Sequence, residues 1–563
     1  MDPATVAALL RELAVYYELD GDRHRAFAYD RAAKAVGAAK ALHRLIDEGR
    51  LEELAGVGGS IARVIGELAR RGTVDVLERL RATWPPIVIE LAQLPKVGVQ
   101  RARKIYQALS PADLEAVAAA CRAGVLSELP GFGKVSEQRL LQSIEERRVR
   151  GAQVLLLDAE GSARSLAAYL RTSPAALRVE IAGPVRRWCE VIDHLAYAVV
   201  TREPEAVLDH LATLGLVTSL DRQRASDTAP VTAFLAGGLR ADVYLVPPTK
   251  LGWALIRATG SPAHVELLRG RARDRGIDLD ILEAAEEHHV YRALGLRLLP
   301  PEVRDGTDEI AAALAGDTFA DLITLEDITV ATHTHTTYSD GKHSIAEMAQ
   351  AAAELGFAGI TITDHSAAAS YAGGLTLDSL RQQHAEIAGL VAPPARILRG
   401  TEADILEDGT IDVPPDILDE LDLVIASVHQ RYHADEDAMT ARLITAMRAP
   451  FFKIWGHALG RLVLRRDPIA VRLDDVLDAI AEAPAAIEIN GDPHRLDLDP
   501  VNARKASARG IPFVLSSDAH STEGLGAVRF AVAMARRARI RKHQVLNARP
   551  VDELAQLLRP RRT

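Results

Sequence analysis

Two histidines one residue apart, His333 and His335, with Asp340 five residues further on, stand in the stretch THTHTTYSDG. In an extended segment residues i and i+2 project from one face, so both imidazoles can reach a single ion. Alone, such a pair is more often satisfied polar structure than a metal site. Here six more residues of metal-ligand type close later apolar runs: His365 after FAGITITD, Glu402 in ARILRGTEADI, His429 after LDLVIASV, His457 after FFKIWG, and Asp518 and His520 in PFVLSSDAHS. Nine nitrogen and oxygen donors exceed the needs of one tetrahedral ion and suit two or three Mn²⁺, Zn²⁺ or Fe²⁺ ions bridged by carboxylate, with Mn²⁺ the first expectation. The chemistry expected of such a cluster is hydrolysis at phosphorus, by polarising a phosphoryl group and acidifying water.

The elements that position these donors follow from periodicity. From residue 325 onward short β-rich runs alternate with amphipathic segments such as IAEMAQAAAELG and RLDDVLDAIAEA. That is the pattern of a βα barrel, whose strand C-termini carry the chemistry. Arg461, His494 and Arg495 are candidates to hold a phosphate or to be rim charges. Asp364 either orients the His365 imidazole or caps a turn.

The first part of the chain has another character. Residues 1–150 hold 23 Lys and Arg against 20 Asp and Glu, +3 in a chain of net charge −10, which leaves −13 for the remainder. That excess alone is weak evidence for nucleic acid. Stronger is a repeat: LAGVGGSIARVI (54–65), LPKVGVQRARKI (94–105) and LPGFGKVSEQRL (129–140) each set a glycine turn before a helix start. Gly56, Gly58, Gly98, Gly131 and Gly133 permit the tight turn and turn backbone N–H groups toward a phosphate, although Lys96 replaces the first glycine of the second copy. The three segments resemble helix-hairpin-helix motifs and predict sequence-independent contact with a DNA backbone.

With these hairpins the chain resembles the bacterial family X DNA polymerases, and VEIAGPVRRWCEVIDHLAYAVV (179–200) lies where that family's palm begins. The His-rich stretch, TDHS (363–366), GTEADI (401–406), SVH (427–429), GHALGR (456–461) and SSDAH (516–520) resemble the motifs of the PHP, or polymerase and histidinol phosphatase, domain. The resemblance implies a multidomain fold: an all-α helix-hairpin-helix region, an α+β nucleotidyltransferase-like palm, then an α/β distorted TIM-like barrel. It implies a trinuclear centre, with His333, His335, Glu402 and Asp518 on one ion, Glu402, His429 and His457 on a second, and Asp340, His365 and His520 on a third. Catalytic weight then falls on Glu402, Asp518 and His457. Two neighbours depart from the pattern: Ala331 replaces a frequent Asp, and GHALGR stands for GHPTGR.

The palm departs further. In the family a Gly-Ser pair holds the triphosphate, an Asp-X-Asp pair binds two ions, and a third acid follows on a neighbouring strand. This chain has Gly183-Pro184, then His194-Leu195-Ala196, with Asp242 as the surviving third acid. Asp193 is one position out of register, which on a strand points it to the opposite face. Arg257-Ala258 replace the aromatic pair that packs on the sugar, and Val64 occupies the position of the lyase lysine. The expectation is a palm kept as scaffold, with polymerisation lost or weak.

The expected division is a helical domain over 1–85, a hairpin region over 86–150, a degenerate palm and thumb over 151–300, a linker over 301–325 and the phosphoesterase over 326–563. Only Cys121 and Cys189 are present, which excludes a cysteine-built zinc site and argues against a disulfide framework. No run of eighteen apolar residues occurs, and a cytoplasmic monomer away from membranes is expected. The leading function is a metal-dependent nuclease or phosphoesterase on gapped DNA or DNA 3′ ends in repair, of the 3′-to-5′ exonuclease, 3′-phosphatase or abasic-site endonuclease type, working with a separate polymerase or ligase. The alternatives are an active gap-filling polymerase with a proofreading barrel and a small-molecule phosphatase of the histidinol phosphate type.

Overall fold

Glycine punctuation shapes the N-terminal helices. The computed structural model describes residues 3–560 apart from 38, 40, 41, 72, 93, 95, 96, 130, 151, 223–228 and 236–237, so Lys96 lies outside the described residues. Helices Pro3–Asp20, Arg23–Gly37, Gly59–Arg71, Gly98–Leu109, Leu114–Arg122 and Lys134–Arg150 surround an apolar core that includes Leu9, Leu13, Ile65, Val88, Ile105 and Val117. Gly56, Gly98 and Gly131 adopt φ +81°, +65° and +90° at or just before three of these helix starts, a backbone region where a Cβ is costly. Arg81 forks onto both carboxylate oxygens of Glu12 at 2.7 Å and ties two helices of this region together.

A five-stranded sheet follows, in the order Ala176–Ala182, His194–Thr201, Arg240–Val246, Val231–Leu235, Val217–Asp221. Only the pair His194–Thr201 with Arg240–Val246 is parallel, and it sets Ala196 opposite Asp242. The helix Leu251–Thr259 packs Leu251, Leu255 and Ala258 onto Ala182, Ala196, Ala198 and Val200. One face of this sheet is thereby closed with small apolar side chains.

These elements form one compact unit up to Leu298, and a second begins at Leu299. In the second unit seven strands run parallel in sequence order: Val330–Ala331, Gly359–Ile362, Arg396–Asp404, Leu423–Ser427, Lys453–Trp455, Ala485–Asn490 and Phe513–Ser516. Strands such as GITI, LVIAS and FVLS are buried at every position, as a parallel sheet covered on both faces requires. A parallel bridge from Thr334 to Ala519 nearly closes the sheet into a barrel. The His335 N–H donates to the Ala519 carbonyl at 2.9 Å, and the Ala519 N–H donates to the His333 carbonyl at 3.1 Å. Closure therefore falls between two of the donor-bearing segments. Residues 301–325, expected as a linker, belong to this unit. Glu302 and Asp305 pair with Arg536 and Arg537, at 2.8 and 3.2 Å, on the helix Val528–Arg537. No helix among the described residues is long and apolar enough to cross a membrane.

Candidate metal centre

Strand ends of the barrel bring all nine sequence-predicted donors to one place. Glu402, 1% exposed at the end of its strand, lies at the centre. Its Oε2 is 3.3 Å from His333 Nε2, 3.6 Å from His335 Nε2 and 2.9 Å from His365 Nδ1, while its Oε1 is 3.2 Å from His429 Nε2 and 2.9 Å from His457 Nε2. Asp518 Oδ1 approaches the same two nitrogens of His333 and His335, at 3.6 and 3.4 Å. Asp340 Oδ1, at the more exposed rim, is 3.6 Å from His365 Nε2 and 3.3 Å from His520 Nε2.

Three donor groups each gather within 4.8 Å: His333, His335 and Asp518; His365, Glu402 and His429; and His335, Asp340, His365 and His520. The grouping differs in detail from the expected assignment, because His335 and His365 each stand between two groups. The chemistry of the set fits divalent ions on an observation independent of motif. His333 Nε2, both ring nitrogens of His335, His365 Nδ1 and Glu402 Oε2 are buried and have no hydrogen-bond partner. Polar atoms left so are costly unless something else satisfies them. His333, His457 and Asp518 also hold φ +59°, +26° and +51°. Such conformations cost about 1–3 kcal/mol each for a non-glycine residue and gather at functional sites.

Two carboxylates that the sequence reading missed fix the ring orientations. His333 Nδ1–H donates to Glu488, which also accepts the His457 N–H and the Asn490 side-chain amide at 3.2 Å. His429 Nδ1–H donates to Asp404 at 2.6 Å. A carboxylate can only accept, so Nδ1 carries a proton in each ring, and Nε2, on the Glu402 side, is the nitrogen left to meet an ion. The available signals were one acid inside the apolar strand AAIEIN, and an acid two residues after Glu402 on the same strand face. Asp364 accepts from the Thr336 N–H and Oγ1, both at 2.7 Å, from Ser339 Oγ, and from Gln383 at 2.6 Å. It clamps the loop that leads to Asp340 and does not orient His365.

Electrostatics follow from this crowding. Burial would raise the Glu402 carboxyl, but His429 and His333 hold it well below the usual range. Burial would likewise raise Asp518, and His333 holds it well below its usual value. His429 is desolvated yet pushed up to about 9 by Glu402 and Asp404. His520 is desolvated yet pushed up to about 9 by Asp340 and Asp518. Burial pushes His335 and His457 down. Of the phosphate candidates, Arg495 comes nearest, with Nε 3.3 Å from Asp518 Oδ2. Arg461 instead donates to the Leu496 carbonyl, and half-buried His494 keeps an unpartnered Nδ1.

The palm-like sheet gathers fewer donors. Asp193 pairs with the adjacent His194 at 2.7 Å. Asp242 accepts from Thr232 Oγ1 at 2.8 Å and has Arg240 Nε at 3.7 Å. Its cross-strand neighbour Ala196 is packed so closely that a Cβ on Gly183 would lie 2.8 Å from the Ala196 methyl and 3.7 Å from His194 Nε2. Arg257 lies over the Tyr244 ring at 5.2 Å and beside Asp280 at 3.6 Å. Of the hairpin positions, Gly58, Gly98 and Gly133 have open space around them.

A hairpin-bearing helical region, a nucleotidyltransferase-like sheet and a donor-lined barrel together define a DNA-processing enzyme class. Family models agree: a helix-hairpin-helix domain matches residues 1–74, a SAM-like helix-hairpin-helix tandem 88–146, and a PHP domain 331–491. The chain is 32% identical over 576 residues to the DNA polymerase/3′-5′ exonuclease PolX of Bacillus subtilis (strain 168), covering 99% of this chain and all of that one. A probable phosphatase of Caldanaerobacter subterraneus is 33% identical over 246 residues, 41% of this chain and 91% of that protein. One of Aliivibrio fischeri is 32% identical over 209 residues, 35% of this chain and 80% of that protein. The chain belongs to the family X DNA polymerases that carry a C-terminal PHP domain.

Proposed function

We propose that this chain is a metal-dependent 3′-to-5′ exonuclease of DNA repair whose palm has lost polymerisation or retains it only weakly. The observation that carries the proposal is the buried Glu402 cluster, where imidazole nitrogens and a carboxylate oxygen converge without protein partners. His333, His335, Glu402, His429, His457 and Asp518 would hold two divalent ions, and Asp340, His365 and His520 a third, Mn²⁺ foremost. Such ions supply charge to polarise the phosphoryl group and acidity to water.

The chain's own residues do the rest. Glu488 and Asp404 keep the Nδ1 protons of His333 and His429, so their Nε2 atoms stay available as ligands. Arg495, beside Asp518, binds a phosphate oxygen as a fixed cation. Hydrolysis adds water across the last phosphodiester and releases a nucleoside monophosphate. The turns at Gly56, Gly98 and Gly131 hold the DNA backbone independently of sequence. In the palm, Ala196 and His194 stand where two carboxylates are needed, and Asp242 alone cannot hold an ion pair about 3.5–4 Å apart. Gapped DNA and 3′ ends in the cytoplasm are the proposed substrates, with a separate polymerase or ligase completing the repair.

One incubation tests the reading: purified chain, Mn²⁺, 5′-labelled one-nucleotide-gapped DNA and all four deoxynucleotides. Shortened products are expected. Extension without shortening would establish the gap-filling alternative, and intact DNA with hydrolysis of histidinol phosphate the small-molecule one.

A further inference from the structure

On the rim of the donor cluster sits an aromatic ring that the hydrolytic scheme does not use. Tyr371 lies on the single turn Ser370–Ala372 and is 64% exposed, yet its ring centroid is 6.4 Å from that of His365 and 6.2 Å from that of His429. Both imidazoles approach it tilted or edge-on, at 54° and 60°, so neither stacks on its face. Its neighbour Tyr432 is different: the Arg466 guanidinium covers that ring at 4.0 Å.

The turn that carries Tyr371 is tied to the donors on both sides. The Leu375 N–H donates to the His365 carbonyl at 2.7 Å, and the Gln430 side-chain amide, next to His429, donates to the Ala368 carbonyl at 3.0 Å. Asp412 accepts the Ala368 N–H at 2.8 Å. Gly373 closes the turn at φ +69°, and a Cβ on Gly374 would strike the Ser366 carbonyl, so the loop has little freedom to swing the ring away. An exposed aromatic ring on a turn tied to the donor segments, with neither neighbouring imidazole stacked on its face, has the geometry of a stacking surface. A nucleobase supplies a flat face within one nucleotide of the scissile phosphate, and stacking of this kind tolerates any base.

We infer that Tyr371 is a substrate-positioning residue that stacks on the unpaired 3′-terminal base of DNA and so selects frayed or single-stranded ends. This rests on the reading that the barrel trims DNA 3′ ends. Two 5′-labelled single-stranded oligonucleotides test it, identical except that the last nucleotide is thymidine in one and a tetrahydrofuran abasic analogue in the other. First-nucleotide release with Mn²⁺ is measured for the wild-type chain, Tyr371→Ala and Tyr371→Phe. Tyr371→Ala should lose about tenfold in kcat/KM on the thymidine end, mostly through KM, and stay within about twofold of wild type on the abasic end. Tyr371→Phe should match wild type on both. Equal losses on the two ends, no loss on either, or a Tyr371→Phe defect as large as that of Tyr371→Ala would overturn the stacking role. Failure of the wild-type chain to shorten either oligonucleotide would instead overturn the exonuclease reading beneath it.

Discussion

The barrel and the palm each present acidic and imidazole groups at strand ends, and they treat those groups in opposite ways. In the barrel, Glu402 Oε2 and four imidazole nitrogens of His333, His335 and His365 are buried with no hydrogen-bond partner, while outer carboxylates lock the far side of His333 and His429. In the palm the acids have found other company: Asp242 takes the Thr232 hydroxyl and faces Arg240, and Asp193 takes His194. A metal site is therefore marked less by which donors are near one another than by which of them stay unsatisfied. Burying unpaired polar groups costs free energy, so several of them converging on one carboxylate and three imidazoles point to a ligand that offsets that cost. Donors with protein partners carry no such signature.

The largest effect that would test this contrast is at Glu402. Glu402→Ala removes the carboxylate that faces five imidazoles and should reduce Mn²⁺-dependent trimming about a thousandfold, three decades of rate being roughly 4 kcal/mol. A cooperative thermal transition in the variant would show that the fold persists; undiminished digestion by that folded variant would sink the assignment. The same contrast can be attacked from the palm. In the double variant His333→Ala, His335→Ala, where digestion cannot erase products, no nucleotide should be added to a one-nucleotide gap with Mg²⁺ or Mn²⁺. Robust templated addition there, lost on Asp193→Ala or Asp242→Ala, would break the comparison.

A smaller effect sharpens it. Glu488→Gln keeps the shape of the side chain that accepts from His333 Nδ1 but removes its charge, and should weaken Mn²⁺ activation about 10- to 100-fold. The readout is the Mn²⁺ concentration for half-maximal activity. An unchanged value would mean that Glu488 serves packing alone. Gly131→Ala should cost less. Its φ of +90° is unfavourable for a residue with a Cβ, so DNA affinity should fall about fivefold, roughly 1 kcal/mol, with trimming of a short single strand unchanged. Gly133→Ala, with open space and no such φ, is the matched control.

What was legible in the sequence tracks this difference between regions. The donors were readable because histidine, aspartate and glutamate at the ends of apolar runs such as GITI and FVLS are costly without a purpose. The barrel was readable because those runs alternate with amphipathic helices. Glu488 was not, since one acid in AAIEIN reads equally as a solvent-facing strand position until the distant segment bearing His333 is seen to meet it. The polar residues of 301–325 read as a connector, and only the distant Arg536 and Arg537 make Glu302 and Asp305 part of a packed layer. For Asp364 the sequence leaves orienting His365 and capping a turn both open, and the structure is nearer the second, since the chain folds back so that Thr336, Ser339 and Gln383 claim it. Motifs carry the donors; long-range contacts carry what holds them still.

The smallest expected effect concerns pH. In chelator-treated protein, His429 is raised to about 9, burial opposing and Glu402 and Asp404 overcoming it, and His520 is raised likewise by Asp340 and Asp518. A group with a raised folded pKa contributes stability that is complete below its unfolded value, near 6.5, and is lost as pH rises toward the folded one. The thermal midpoint of the metal-free chain should therefore decline from pH 6.5 to about 8. Above pH 8 the slope should weaken, because Lys453, which burial pushes down to about 8, favours the folded state once it is neutral while the unfolded chain still binds its proton. Asp404→Asn removes the acceptor of the His429 Nδ1 proton and should flatten the decline. Differential scanning calorimetry at four or five pH values decides it. A midpoint that rises between pH 6.5 and 8 in the stripped wild-type chain would mean that the imidazoles around Glu402 are neutral in the absence of ions, and that the barrel's donors are prepared by burial alone.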